Sequence, residues 1–221
     1  MRQEIQIEKK ASEVVQPKSG EEAQEAICTR KDLSGADLRG MALGNITAVG
    51  AILRKTNLAG ADLSHGLLIN PNFYKASLQD AAIHNTIVLG GDLVKANFSG
   101  TDLSDSAIVG ADATEASLEG ANLRNAAVVG TNFTDANFTR ADMTNTRLVG
   151  LNVTGAKFTN ANLTGARAHN VNWEKALVPP LTLPAPMIQL PTWAWSVLLG
   201  GILGALALII YALIRRKRKA V

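Results

Sequence analysis

The chain predicts a solenoid, one that turns a corner every five residues and buries its apolar side chains by stacking unit on unit. Three observations carry this. From Ala26 to Lys175 every fifth side chain is apolar, in one register and over thirty consecutive units, from Cys28, Leu33 and Leu38 through Phe73, Phe98 and Phe133 to Leu163, Ala168 and Trp173. Two residues before these centres the side chain is usually small, most often alanine, as at Ala36, Ala61, Ala76, Ala96, Ala121, Ala136, Ala141 and Ala161. Neither the 3.6-residue period of a helix nor the two-residue period of a flat strand keeps such positions on one side, whereas a corner every five residues does. A single unit cannot bury its own apolar residue, so neighbouring units must supply a continuous core.

The elements follow in order. Residues 1–19 are charged and lack a strong period, and they have no basic start, apolar run and small-residue cleavage site such as a signal peptide carries, so a mobile arm is expected. Residues 20–25 are expected to form a short helix capping the first coil, whose strand edges would otherwise stand open to pairing. Residues 26–175 form the stacked body. Residues 176–192 hold five of the seven prolines, Pro179, Pro180, Pro184, Pro186 and Pro191, and read as a semi-extended spacer. Residues 193–214 are 22 residues without a charge, enough as a helix to span roughly 33 Å. Their eleven Leu, Ile and Val side chains contribute on the order of −3 to −7 kcal/mol towards membrane insertion. Trp193, Trp195 and Tyr211 stand where an aromatic belt would place them, and the basic tail 215–221 begins with the headgroup anchors Arg215, Arg216, Lys217, Arg218 and Lys219. Gly200/Gly204 and Gly201/Ala205 are small-xxx-small pairs that would let a second helix approach closely, in a homodimer or in a larger membrane complex.

The motif A(D/N)LxG, seen as Ala36-Asp37-Leu38-Arg39-Gly40, Ala61-Asp62-Leu63, Ala96-Asn97-Phe98-Ser99-Gly100 and Ala121-Asn122-Leu123, resembles the pentapeptide-repeat family over about two thirds of the chain. The resemblance implies an all-β solenoid, a right-handed quadrilateral β-helix with four pentapeptides per coil. It also implies that the large centre and the small residue before it face inward. Thirty units make about seven and a half coils, a rod roughly 36 Å long at about 4.8 Å per stacked strand.

Composition limits the functions open to such a rod. The one cysteine, Cys28, excludes an internal disulfide framework, and its central position predicts a buried structural thiol. Residues 1–30 hold five basic and six acidic side chains, residues 31–175 twelve and thirteen, and the last seven hold five basic and none acidic. The net +3 therefore belongs to the tail. A near-neutral rod argues against nucleic-acid binding by phosphate neutralisation. It argues equally against the DNA mimicry of the topoisomerase-protecting members of the family, whose rods are markedly acidic. Topology is divided: the basic tail would hold itself on the cytoplasmic side by the positive-inside rule and export the rod, while the lack of a leader favours a tail anchor with a cytosolic rod. Leu190-Pro191-Thr192 before the apolar run has only part of a cell-wall sorting signal.

Residues twenty apart stack on one wall, which allows the walls to be compared. Three are mostly polar just after the centre, as with Ser34, Arg54, Tyr74, Val94, Thr114, Thr134 and Thr154 on one of them. The fourth carries Val49, Ile69, Leu89, Val109, Val129 and Val149, flanked just before the centre by Ile27, Leu67, Ile87, Ala107 and Ala127 until Arg147 and Arg167 end the run. Two columns roughly 10 Å wide and 29 Å long make about 300 Å². β-branched residues also simply suit a strand, yet the asymmetry between walls favours a protein-binding face. An area below the ~800 Å² per partner of a stable interface calls for further contacts from the spacer, span or arm. His65 and His84 fall on one wall in adjacent coils, but two imidazoles without a third ligand or a carboxylate are a poor metal site. The Asn-x-Ser/Thr sequons at Asn45, Asn97, Asn132, Asn137, Asn152 and Asn162 follow from the repeat and do not speak for secretion. No phosphate-binding glycine loop, activated nucleophile or Cys/His cluster appears, so no cofactor and no enzyme are expected. The leading expectation is a membrane-anchored scaffold that docks a protein partner, plausibly a membrane complex, beside the lipid bilayer. The alternatives are a secreted effector that inserts into a foreign membrane and, less favoured, a topoisomerase modulator.

Overall fold

A computed structural model describes residues 16–186. The chain divides into two compact units, 1–185 and 186–221, and the fold below is that of the first.

The body is an all-parallel β-solenoid of about seven turns. Backbone bridges join each residue to the one twenty further on, as in Asp32 to Ile52, Asp37 to Asn57 and Ala42 to Asp62, so one coil consumes four five-residue units. The N–H groups of one coil donate forward to the next, Leu33 N to Ile52 O at 3.1 Å and Leu38 N to Asn57 O at 2.7 Å, and the ladder repeats through the shaft. On one wall the extended residues run long enough to make a continuous sheet: β1 (Thr47–Val49), β2 (Leu67–Ile69), β3 (Ile87–Leu89), β4 (Ala107–Val109), β5 (Ala127–Val129), β6 (Arg147–Val149) and β7 (Arg167–His169). A two-residue β8 (Ala185–Pro186) closes the order β1-β2-β3-β4-β5-β6-β7-β8.

Corner chemistry explains why only one wall is a full sheet. On the other three, the centre opens a β-turn closed by a bond such as Ala36 N to Leu33 O at 2.9 Å or Ala96 N to Leu93 O at 3.0 Å. The third residue of these turns has positive φ, as at Gly35 (74°) and Lys95 (60°), the requirement of a type II turn. On the fourth wall positive φ stands at the same offset, two residues after the centre, at Gly50, Asn70, Gly90, Gly110, Gly130, Gly150 and Asn170, but the residue between stays extended and joins the strand.

The core is the shaft. The centres from Leu33 to Leu163 and most of the small residues preceding them are buried. Phe133, Phe138, Phe158 and Trp173 form an aromatic column with centroid separations of 4.9, 4.8 and 5.3 Å. At three of the inward positions held by threonine the hydroxyl donates across coils, Thr56 Oγ1 to Leu33 O at 2.8 Å, Thr86 Oγ1 to Leu63 O at 2.9 Å and Thr101 Oγ1 to Leu78 O at 2.6 Å, which satisfies a polar group that burial would otherwise penalise.

Both ends depart from the five-residue beat. Helix α1 spans Gly20–Cys28, capped by the Ser19 hydroxyl accepting from Glu22 N. It is longer than the capping helix expected over 20–25 and absorbs Ala26, Ile27 and Cys28, the first residues of the predicted repeat. Ala23, Ala26 and Ile27 form a helical stripe three and four residues apart that covers the first coil, so their apolarity serves a 3.6-residue period. Cys28 consequently lies exposed rather than buried in the shaft. At the other end Lys157 bridges Val178, a step of 21 rather than 20. The extra residue falls between His169, which still receives Gly150 N, and Lys175, which receives Gly155 N, where a 3-10 turn covers Trp173–Lys175. Residues 176–185, expected as part of a semi-extended spacer, are pinned to the last coil by Phe158 N to Val178 O (2.8 Å), Val178 N to Ala156 O (3.2 Å) and Ala185 N to Ala166 O (3.2 Å).

Candidate functional site

The candidate site is the outer surface of the seven-stranded wall. Its parallel register pairs Val49 with Ile69, Ile69 with Leu89, Leu89 with Val109, Val109 with Val129 and Val129 with Val149, and in the second column Leu67 with Ile87, Ile87 with Ala107 and Ala107 with Ala127. These side chains alternate with the buried centres Ala48, Leu68, Val88, Ile108, Val128 and Leu148, so they point out of the shaft. Val49 is 40% exposed and the others along the two columns are half-buried, because each packs against the coil above and below. The columns end in Arg147, Arg167 and His169 at the C-terminal end. At the N-terminal end the Arg30 Nε donates to Val49 O at 2.7 Å.

One predicted member does not belong to this wall. Ile27 is fully buried, with 0% exposure, because it lies in α1 and faces the first coil. Trp193, Trp195, Gly200, Gly201, Gly204, Ala205, Tyr211, Arg215, Arg216, Lys217, Arg218 and Lys219 lie outside the described residues. Among the described residues no helix is long and apolar enough to cross a membrane.

The other walls are occupied by the repeat's own hydrogen bonding. Where Asp or Asn stands before a centre on these walls, its side-chain oxygen commonly accepts from the N–H two residues on, Asp32 Oδ1 from Ser34 N at 2.9 Å and Asp62 Oδ1 from Ser64 N at 2.9 Å. Asparagines also donate down the stack, Asn122 Nδ2 to Asp102 Oδ1 at 2.8 Å, Asn132 Nδ2 to Asp112 Oδ1 at 3.1 Å and Asn152 Nδ2 to Asn132 Oδ1 at 3.0 Å. The sequon amides at Asn132 and Asn152 are therefore engaged in the ladder. The hydroxyl and N–H of Ser34 hold the Asp32 carboxyl below its ordinary range. Ser64 does the same for Asp62, with smaller help from His84 and His65. Burial raises Asp142, but the hydroxyl and N–H of Thr144 and the Arg124 guanidinium together outweigh it and lower its pKa.

His65 and His84 do meet, edge to face with centroids 5.3 Å apart, and His84 Nδ1 lies 3.6 Å from Asp102 Oδ2, so a carboxylate that sequence spacing overlooked stands beside the pair. Even so, no group of three or more His, Cys, Asp or Glu among the described residues is placed to hold a metal ion. A second feature escaped the periodic reading. Leu177, Leu181 and Leu183 are 64%, 86% and 63% exposed on the segment that closes the last coil. Their signal was available, since residues 176–186 contain no charged side chain, but it was submerged in the proline count.

Comparison with known proteins agrees with this architecture. The family model described as pentapeptide repeats matches in eight copies over residues 32–68, 51–88, 76–112, 90–120, 116–155 and 136–172. No curated protein matches the chain. Among solved structures, the chain is similar to HetL, a pentapeptide repeat protein involved in heterocyst differentiation regulation from the cyanobacterium Nostoc sp. strain PCC 7120, at 22% identity and a TM-score of 0.41, over 69% of this chain and 86% of that one. It is similar to QnrB1, a plasmid-mediated fluoroquinolone resistance protein, at 22% identity and a TM-score of 0.42, over 76% and 94%. A thylakoid-lumen pentapeptide repeat protein from Arabidopsis thaliana aligns at 24% identity and a TM-score of 0.29, over 53% and 71%. With the family model spanning residues 32 to 172 and the twenty-residue coil repeating through the same stretch, the chain belongs to the pentapeptide-repeat family.

Proposed function

We propose that this chain is a non-enzymatic, membrane-anchored scaffold, and that the apolar wall built on Val49, Ile69, Leu89, Val109, Val129 and Val149 seats a helix of a protein partner in a membrane complex. The observation that carries the reading is the wall itself: one column of outward side chains kept apolar from Val49 to Val149 and a second beside it apolar through the four coils from Leu67 to Ala127, on a shaft whose other walls present mostly Ser, Thr and charge. A surface about 29 Å long and 10 Å wide matches one amphipathic helix of about 19 residues lying along it. The uncharged run 193–214, with its aromatic and basic flanks, supports the anchor and would hold the rod within reach of such a partner. The small-residue pairs Gly200/Gly204 and Gly201/Ala205 add a second contact to the same complex.

Photo-crosslinking from Val109 and Val129 in native membranes tests the reading. Adducts should map to the apolar stripe of one partner helix and should be absent from Thr134, on another wall. They should disappear in a Leu89→Thr/Val109→Thr/Val129→Thr variant, which keeps a good strand former at each changed position but removes apolar surface. Equal adducts from Thr134, or adducts unaffected by the threonines, would refute a docking wall. Adducts to a second copy of the chain would reassign the wall to a homodimer and overturn the separate partner.

A further inference from the structure

We propose that the C-terminal end of the solenoid is itself a lipid-contact surface: Leu177, Leu181 and Leu183 enter the headgroup boundary of the bilayer, so that the rod rests on the membrane by its last coil. This rests on the anchor reading above and adds to it a second, separate attachment made by the folded body.

Exposure is the first ground. Apart from Val49 and Val178, these three are the only large apolar side chains among the described residues that are well exposed, and Leu181 is 86% accessible. Attachment is the second. The segment is not a loose tail, because Phe158 N to Val178 O and Ala185 N to Ala166 O fix it to the last coil on both sides of Leu181. The leucines are therefore displayed by a folded scaffold, and no ordering cost of a free peptide opposes their insertion.

Composition and position select lipid as the occupant. Residues 176–186 carry no charge, and four of the eleven are proline (Pro179, Pro180, Pro184 and Pro186), which have no N–H to desolvate on entering an apolar phase. Beside them the last coil holds Lys157, Arg167 and Lys175 against Glu174, a cationic excess that suits anionic headgroups. Leu183 stands ten residues before Trp193, so the chain permits no more than about 36 Å between it and the start of the uncharged run.

The test uses the full chain, with Cys28→Ser, reconstituted into vesicles of phosphatidylcholine and phosphatidylglycerol. A nitroxide is placed in turn at Leu177→Cys, Leu181→Cys, Leu183→Cys, Thr139→Cys and Leu203→Cys, and collision with oxygen is compared with collision with a water-soluble nickel chelate. The oxygen-to-nickel ratio at 177, 181 and 183 should exceed that at Thr139 by about threefold or more, and should fall when phosphatidylglycerol is omitted. A lipid-like ratio at 203 with a water-like ratio at 181 would overturn the surface contact and leave the anchor standing. A water-like ratio at 203 would overturn the anchor and the present proposal together. Shielding of 181 from both reagents would mean that protein covers the leucines, which also refutes it.

Discussion

Replacing Phe138 with alanine should be among the most damaging single changes available to this fold. The ring is 1% exposed and lies between Phe133, edge to face at 4.9 Å, and Phe158, stacked with planes 4° apart at 4.8 Å. Removing a buried phenylalanine costs about 3–5 kcal/mol through lost transfer energy and the cavity left behind, and the two ring contacts, each worth about 0.5–1.5 kcal/mol, place this site at the upper end. Phe138→Leu keeps most of the apolar volume and loses only the ring geometry, for about 1–3 kcal/mol. At roughly 2–4 °C per kcal/mol for a chain of this size, a cost of about 4–5 kcal/mol means that the alanine variant should melt about 8–20 °C below the parent and clearly below the leucine variant. Thermal melts followed by β-sheet circular dichroism measure both. In a solenoid each coil contacts only its neighbours, so hydrogen exchange should accelerate most in the coils around Phe138. Equal melting of the two variants would refute the claim that the filled volume of the aromatic column holds this part of the shaft together.

Gly91→Ala should destabilise by about 2–4 kcal/mol, because φ is +101° and a β-carbon would stand 2.6 Å from Pro71 O and 2.7 Å from Pro71 Cδ. Gly110→Ala, at φ +68° with open space around it, should cost only about 1–2 kcal/mol, and denaturant titration separates the two. The lowered pKa values of Asp32, Asp62 and Asp142 mean that the folded state binds protons less readily than the unfolded one. Their stabilisation is present above the ordinary aspartate value of about 3.9 and is lost as pH falls through the lower folded values. The melting temperature should therefore hold level above about pH 5 and drop below about pH 4, and Asp62→Asn should blunt that drop.

The interior of this molecule was legible because a single rule governs it. With one apolar centre every five residues and no other means of burying it, the shaft follows from stacking, and Leu33 through Leu163 occupy the positions that rule assigns. The ends were illegible for a specific reason. Ala23, Ala26 and Ile27 satisfy the helical period as well as part of the five-residue one, and the helical choice turns Cys28 outward. At the other end Trp173 keeps the beat while the backbone gains a residue, so the slip between His169 and Lys175 leaves no mark in the pattern of apolar side chains. The asymmetry of the walls was readable in composition, but its backbone cause was not. Nothing in the residue types of Tyr74, Gln79 or His84 announces that the chain is already turning at each, whereas that early turn is what sets three walls apart from the strands of the fourth.

That cause bears on how the apolar wall is understood. Because the residue after the centre is extended only on the fourth wall, a preference for β-formers there needs no partner to explain it. Apolarity is a separate matter. Threonine is also a good β-former, and the chain uses it freely on the other walls at Thr114, Thr134, Thr154, Thr139 and Thr144. The fourteen outward positions of β1 to β7 nevertheless include one threonine, Thr47, and run instead through Val, Leu, Ile and Ala until the arginines begin at Arg147. Strand geometry accounts for the branching and stacking between coils accounts for partial burial, but neither distinguishes valine from threonine at the solvent edge. The docking wall proposed above would supply that distinction, through contact with a partner surface that excludes water, and on that reading the change to arginine at the C-terminal coils marks where the contact gives way to a cationic end.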